Sequence, residues 1–166
     1  MRLMRRKIDD FLKEWKENED RLPLIVKGAR QIGKTASIMQ FANDNYKNVV
    51  AINFVLQQKF KSIFDDGYDV DSIVRNITLI DPSIELEPGN TIFFFDEMQD
   101  CPVCATSLKA FKIDGRYDVV CSGSLMGINY QEIESNSVGY KEDYTMHSMD
   151  FERSEERRVG KECRSR

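Results

Sequence analysis

Ile8, Phe11, Leu12 and Trp15 recur at i, i+3, i+4 and i+7. That spacing lines one face of a helix and predicts an amphipathic helix over roughly residues 7 to 18. The pattern then changes. Residues 22 to 27 (LPLIVK) form an apolar, β-branched run that stops at Gly28, as a buried strand does. Residues 34 to 46 return to helical character, with Ile38, Met39 and Phe41 to bury, and residues 48 to 55 (NVVAINFV) read as a second strand. Residues 57 to 80 mix polar and apolar positions and suit two short helices broken near Asp66-Gly67. DPSIELEPGN, with two prolines and a closing Gly-Asn, reads as loop.

A third strand is predicted over Thr91 to Phe95 (TIFFF), apolar on both faces. Pro102 opens a helix that ends near Asp114-Gly115 and buries Val103, Leu108 and Phe111. A fourth strand covers Tyr117 to Ser122, and a weaker fifth covers Tyr140 to Met146. Strands alternating with helices imply a parallel sheet covered on both faces, hence an α/β chain.

Composition changes one part of this picture. The chain has 166 residues, 41% hydrophobic and 31% charged, enough for one folded domain. The last fourteen, RSEERRVGKECRSR, differ from the rest: six are basic, none is aromatic, and Val159 is the only aliphatic side chain larger than alanine. Their start is similar to the translation of a widely used short-read sequencing adapter, whose first codons in frame give Arg153, Ser154, Glu155 and Glu156. The expected organisation is therefore an N-terminal helix and linker (1–21), a core domain (22–152) and an artefactual, disordered tail (153–166). Without the tail's six basic and three acidic side chains, the remaining 152 residues carry 18 basic and 25 acidic ones, a net of −7. So acidic a body gives no general electrostatic reason to bind nucleic acid. The longest purely apolar runs, Ile92 to Phe95 and Val49 to Ile52, are too short for a bilayer, and no apolar segment follows the basic N-terminus. A cytoplasmic chain with reduced cysteines is expected.

The chemistry sits where strands end. GARQIGKT, Gly28 to Thr35, fits G-x-x-x-x-G-K-[ST] and lies between a predicted strand and a predicted helix. Phosphate groups need many N–H donors and little bulk, and such a turn supplies both, with the partial positive charge of a helix N-terminus behind it. Gly28, Ala29, Arg30, Gln31, Ile32, Gly33, Lys34, Thr35 and Ala36 are the candidate phosphate-binding residues. Lys34 reaches the β and γ phosphates in this reading, and the Thr35 hydroxyl ligates Mg²⁺. A carboxylate at the end of a neighbouring strand is needed for the metal's water shell, and Asp96 after TIFFF supplies it. Glu97 can polarise the attacking water, which a metal-binding Asp96 cannot also do. Ser122 and Ser124, in CSGS after the fourth strand, are candidate contacts to the γ-phosphate or that water. ATP and Mg²⁺ are the expected ligands.

The order along the chain separates two branches of phosphate-loop proteins. A strand lies between the phosphate loop and Asp96, and a glutamate follows the aspartate, as in the ATPase branch that carries its own catalytic glutamate. Guanine readers carry N-K-x-D; the nearest segment here, Phe111 to Asp114 (FKID), lacks the asparagine. Cys101 and Cys104 have zinc-like spacing but no second pair, so they read as helix-start filling.

These motifs resemble those of the AAA-type ATP-binding proteins of bacteria and archaea that carry a C-terminal domain of unknown function. The likeness covers nearly all of residues 5 to 152. Arg5 or Arg6, Trp15, GARQIGKT, FFDEMQ (Phe94 to Gln99), Cys101-Pro102, Ser107-Leu108-Lys109 and GSLMG (Gly123 to Gly127) each have a counterpart there. Two positions depart from the pattern: Tyr140 follows Val138-Gly139 where the family usually has a basic residue, and Ser148 replaces the proline of a closing motif that ends here at Glu152. The resemblance implies a P-loop NTPase three-layer sandwich of the ASCE/AAA branch and Mg-dependent ATP hydrolysis coupled to conformational change. It also implies a missing C-terminal region through which a homo-oligomer or partner protein is engaged. The alternatives are a nucleotide-binding module without efficient turnover and a small-molecule P-loop kinase. A kinase needs an arginine-rich lid, and residues 53 to 90 contain only Arg75.

Overall fold

The computed structural model describes residues 7–29, 32–124 and 130–147. Five strands, β1 (Leu24–Lys27), β2 (Asn48–Asn53), β3 (Thr91–Asp96), β4 (Asp118–Gly123) and β5 (Glu142–Thr145), form one parallel sheet in the order β2-β3-β4-β1-β5. Among the described residues five α-helices accompany them: α1 (Lys7–Glu17), α2 (Lys34–Asn45), α3 (Val70–Ile80), α4 (Leu108–Asp114) and α5 (Tyr130–Ser137). The expected P-loop-type α/β sandwich is the fold observed.

Strand parity divides the interior into two cores. Leu24, Val26, Ile92, Phe94 and Val120 pack with Ile8, Leu12 and Trp15 of α1 and with Ile38 and Phe41 of α2. Their chain neighbours Ile25, Phe93, Phe95, Val119 and Cys121 face the other way, onto α3, α4 and the turns between them. Side chains that alternate across a strand require this, and helices on both faces explain why β1 and β3 are buried at every position. Each fully buried phenylalanine stabilises by roughly 1.5–3 kcal/mol, so Phe93 to Phe95 anchor both layers at once.

Differences from expectation lie in the connections. The predicted helix from Pro102 is a 3₁₀ segment, Pro102–Ser107, followed by α4. The Ser107 hydroxyl donates to the Cys104 carbonyl at 2.7 Å, the kind of local side-chain bond that competes with the α-helical ladder. α4 ends on Gly115 at φ 77°, whose N–H returns to the Phe111 carbonyl. The two predicted helices over 57 to 80 are a 3₁₀ segment, Gln58–Phe64, and α3, whose N-terminus is capped by Asp69 through the Ser72 N–H. α5 was not expected. Among the described residues no helix is long and apolar enough to cross a membrane.

Candidate functional site

A parallel sheet brings every strand's C-terminal end to one edge. Gly28, Asn53, Asp96 with Glu97, and Gly123 with Ser124 therefore meet at the same border. β4 lies between β1 and β3, with Val26 opposite Ser122 and Phe95 opposite Cys121. Parity then fixes direction. Asp96 follows Phe95 and Ser122 follows Cys121, so both turn to the α1/α2 face, where α2 begins with Lys34 and Thr35.

The contacts agree with that geometry. The Thr35 hydroxyl donates to Asp96 Oδ2 at 2.9 Å. The Ser122 hydroxyl donates to Asp96 Oδ1, and the Glu97 N–H donates to the same oxygen at 2.9 Å. Asp96 is only 6% exposed, and a carboxylate so buried is costly unless hydrogen-bonded; three donors on two oxygens meet that cost. Lys34 Nζ donates to the Gly28 and Ala29 carbonyls at 3.1 and 2.8 Å, holding the loop's first turn.

Three backbone features shape the edge. Gly33, at φ 88°, turns the chain into α2, and its carbonyl accepts the Ser37 N–H. Gly28 has no room for a side chain: a Cβ there would lie 2.8 Å from both Ile32 Cδ1 and the Met146 carbonyl oxygen. Glu97 is the one non-glycine with positive φ among the described residues, at φ 57° and ψ 49°. That left-handed turn costs of order 1 kcal/mol and carries the chain out of β3 immediately after Asp96.

Sequence reading gave Gln99 no role, yet it links two candidate residues. Its Nε2 donates to Glu97 Oε1 at 2.7 Å, and its Oε1 accepts the Ser124 N–H at 3.3 Å. The available signal was its position, three residues after Asp96 within FFDEMQ.

Other expectations fall elsewhere. Ile32 lies within the loop and Ala36 in the first turn of α2, but Arg30 and Gln31 lie outside the described residues. So do Arg5 and Arg6, Leu125 to Gly127, the motif from Ser148 to Glu152, and the tail. Arg116 precedes β4 at the opposite edge, where it pairs with Asp114 and Asp71 at 2.9 and 2.6 Å. Arg21 is also at that edge, pairing with Asp118 at 2.8 Å. Arg75 donates to Ser72 Oγ within its own helix. Lys141, just before β5, pairs with Asp143.

Cys101, Cys104 and Cys121 are buried thiols. Burial pushes Cys101 up to about 11 and Cys104 well above the ordinary thiol value, the latter also hydrogen-bonded to Cys121. Among the described residues no group of three or more His, Cys, Asp or Glu side chains can hold a metal. A hydroxyl and a carboxylate side by side, as in Thr35 and Asp96, instead suit a hard cation that keeps water or phosphate oxygens as its other ligands. A cleft of about 170 Å³ opens beside that pair, lined also by Met39, Ala51, Asn53 and Gln57.

Residues 20–154 match a protein family described as an AAA domain. No curated protein matches the chain. Among solved structures, PCH-2 of C. elegans superposes with a TM-score of 0.51 at 11% identity, over 86% of this chain and 44% of that one. The RuvB Holliday junction branch migration motor of Thermotoga maritima gives 0.49 at 13% identity, over 82% and 44%. AMPPCP-bound DnaA from Aquifex aeolicus gives 0.47 at 12%, over 81% and 44%. At such identities the likeness is one of fold, and the chain spans less than half the length of these structures.

Proposed function

The chain belongs to the AAA domain family, a nucleotide-binding fold of the ATPase type, and we propose that it binds Mg-ATP at the edge formed by Gly28 to Ala36, Asp96 and Ser122. The observation that carries this reading is the Thr35–Asp96 hydrogen bond at 2.9 Å. It joins the first turn of the helix behind a phosphate loop to the last residue of an apolar strand, the two side chains a Mg-nucleotide site requires.

In this reading the loop amides and the N-terminus of α2 receive the phosphates. Lys34 exchanges the Gly28 and Ala29 carbonyls for phosphate oxygens. Thr35 and Asp96 would hold Mg²⁺, Thr35 by its hydroxyl and Asp96 through water, and a bound ion would supply charge neutralisation at the phosphates. Glu97, which follows β3 on a left-handed backbone, takes a proton from the attacking water while Asp96 stays committed to Thr35 and Ser122. Ser122 fixes the orientation of Asp96, and Ser124 stands next to the γ-phosphate position.

A second reading, a nucleotide-binding module without efficient turnover, is favoured by one observation. Arg21 and Arg116 are paired at the far edge and Arg75 contacts its own helix, and these are the arginines among the described residues. A missing arginine finger lowers turnover by about 10³–10⁵. The charge then comes from Arg30 or another residue outside the described ones, from a second copy, or from a partner. Single-turnover incubation with Mg-ATP separates the readings. Free phosphate supports the ATPase, bound ATP without release supports the module, and phosphate on an added small-molecule acceptor supports a kinase.

A further inference from the structure

We propose that Gln99 is a positioning residue for Glu97, coupling its carboxylate to the backbone at the end of β4. The inference rests on reading Glu97 as the water-activating group.

A primary amide has one donor end and one acceptor end, and its orientation is fixed by what it meets. Here the partners leave no choice. The Ser124 N–H can only donate, so it takes Gln99 Oε1, and an ionised Glu97 carboxylate can only accept, so it takes Nε2. The link is also sterically held. A Cβ built on Gly123 would lie 3.0 Å from Gln99 Oε1 and 3.1 Å from Met98 Cγ, so the 98–99 turn packs directly on the β4 backbone. Glu97 needs such a holder. Glu97 gives its N–H to Asp96, while its carboxylate accepts from Gln99 Nε2, which orients it. Ser124 lies immediately beyond β4, at the border that faces the phosphates. A shift of the backbone there, on binding or losing a γ-phosphate, is transmitted through one amide to the carboxylate that acts on the water. Residue 99 thereby sets when Glu97 is aimed, while nucleotide affinity is left to the loop.

The test uses the full chain and the Gln99→Met variant, which keeps length and packing but removes both hydrogen bonds. The ¹⁵N–¹H resonance of the Ser124 amide is recorded without nucleotide, with and without Glu97→Ala. The expected result is that Glu97→Ala moves this resonance when Gln99 is present and leaves it in place when Met is at 99. A shift that persists in the Gln99→Met background, or none in either background, overturns the coupling. Phosphate release with Mg-ATP gives the functional arm. Gln99→Met should keep KM within about twofold and lower kcat by roughly tenfold to a hundredfold, part of the roughly 10²–10⁴ that a positioned base supplies. Loss of turnover in Glu97→Gln with full kcat in Gln99→Met overturns the role of Gln99 alone. Full turnover in Glu97→Gln overturns the base assignment, and the role of Gln99 with it.

Discussion

Thr35 and Asp96 stand 61 positions apart in the chain, and the hydroxyl of one donates to the carboxylate of the other at 2.9 Å. The same carboxylate accepts from Ser122 and from the Glu97 N–H, so residues from α2, β3, β4 and the turn after β3 share one buried charge. This arrangement gives Asp96 and Glu97 different duties although they are neighbours. Asp96→Asn should weaken Mg-dependent ATP binding by about tenfold or more, because it removes the charge that holds the ion's water. Glu97→Gln should leave binding within about threefold and cut phosphate release by roughly 10²–10⁴. Calorimetric titration with and without Mg²⁺, beside a phosphate-release assay, checks the pair. Equal effects of the two substitutions on binding would remove the division of labour.

The start of the phosphate loop is closed to any side chain. Gly28→Ala would push a methyl to 2.8 Å from the backbone oxygen of Met146, which follows β5 and whose N–H is bonded to the Lys27 carbonyl. Backbone cannot rotate away as a side chain can, so the β1–β5 edge must move. The expected cost is about 1–3 kcal/mol, read as a lower urea midpoint in chemical unfolding. An unchanged midpoint would mean that β5 docks more loosely than described.

Stability should decline on the alkaline side. Burial pushes the Cys101 thiol up to about 11, whereas an unfolded thiol titrates near 8.5. Burial, then the Asp118 carboxylate, raises the Tyr46 hydroxyl, which donates to Asp118 Oδ2 at 2.5 Å. Both groups hold protons more tightly when folded. Their stabilisation is therefore complete below the unfolded values and is lost as pH rises toward the folded ones. Unfolding free energy should fall from about pH 8.5 upward, more steeply above about pH 10 as the tyrosine joins. Tyr46→Phe should cost about 1.5–3 kcal/mol at neutral pH, the worth of a hydrogen bond to a charged group, and flatten the steep part. Urea unfolding at a series of pH values is the measurement; a flat profile through pH 10 would contradict it.

Arg116 should be dispensable for turnover. Its guanidinium is held by Asp114 and Asp71 at the edge opposite the phosphate loop. Arg116→Ala is expected to keep phosphate release within about twofold and to cost no more than about 1 kcal/mol of stability, as partly exposed ion pairs do. A drop of tenfold or more would make Arg116 the source of the missing positive charge.

Much of this was written in local pattern. LPLIVK and TIFFF fold as strands because runs of β-branched and aromatic residues are buried on both faces of a parallel sheet, and NVVAINFV supplies the edge strand, which buries Val50 and Ile52. Gly28, Lys34, Thr35 and Asp96 could be located because the phosphate loop and the carboxylate strand are each contiguous. α5 was not legible: among the described side chains of YQEIESNS, Ile133 is the buried apolar one, too little for a period to register. The 3₁₀ character of Pro102–Ser107 depends on a side-chain bond to the backbone that spacing does not encode. Gln99 was visible as a letter in FFDEMQ, but its partner Ser124 lies 25 positions away and is reached only once β3 and β4 pair. The same holds for Tyr46 and Asp118, 72 positions apart.

Lys34, Thr35 and Asp96 should act as one Mg-ATP site, which calorimetric titration of ATP into the wild-type chain and into Lys34→Ala, each with and without Mg²⁺, puts to the test. One site in the wild type that tightens with Mg²⁺ is expected, with an affinity at least about tenfold weaker in Lys34→Ala, the loss of one charge-assisted contact to phosphate. Equal affinity in the two proteins, or wild-type binding indifferent to Mg²⁺, would contradict it.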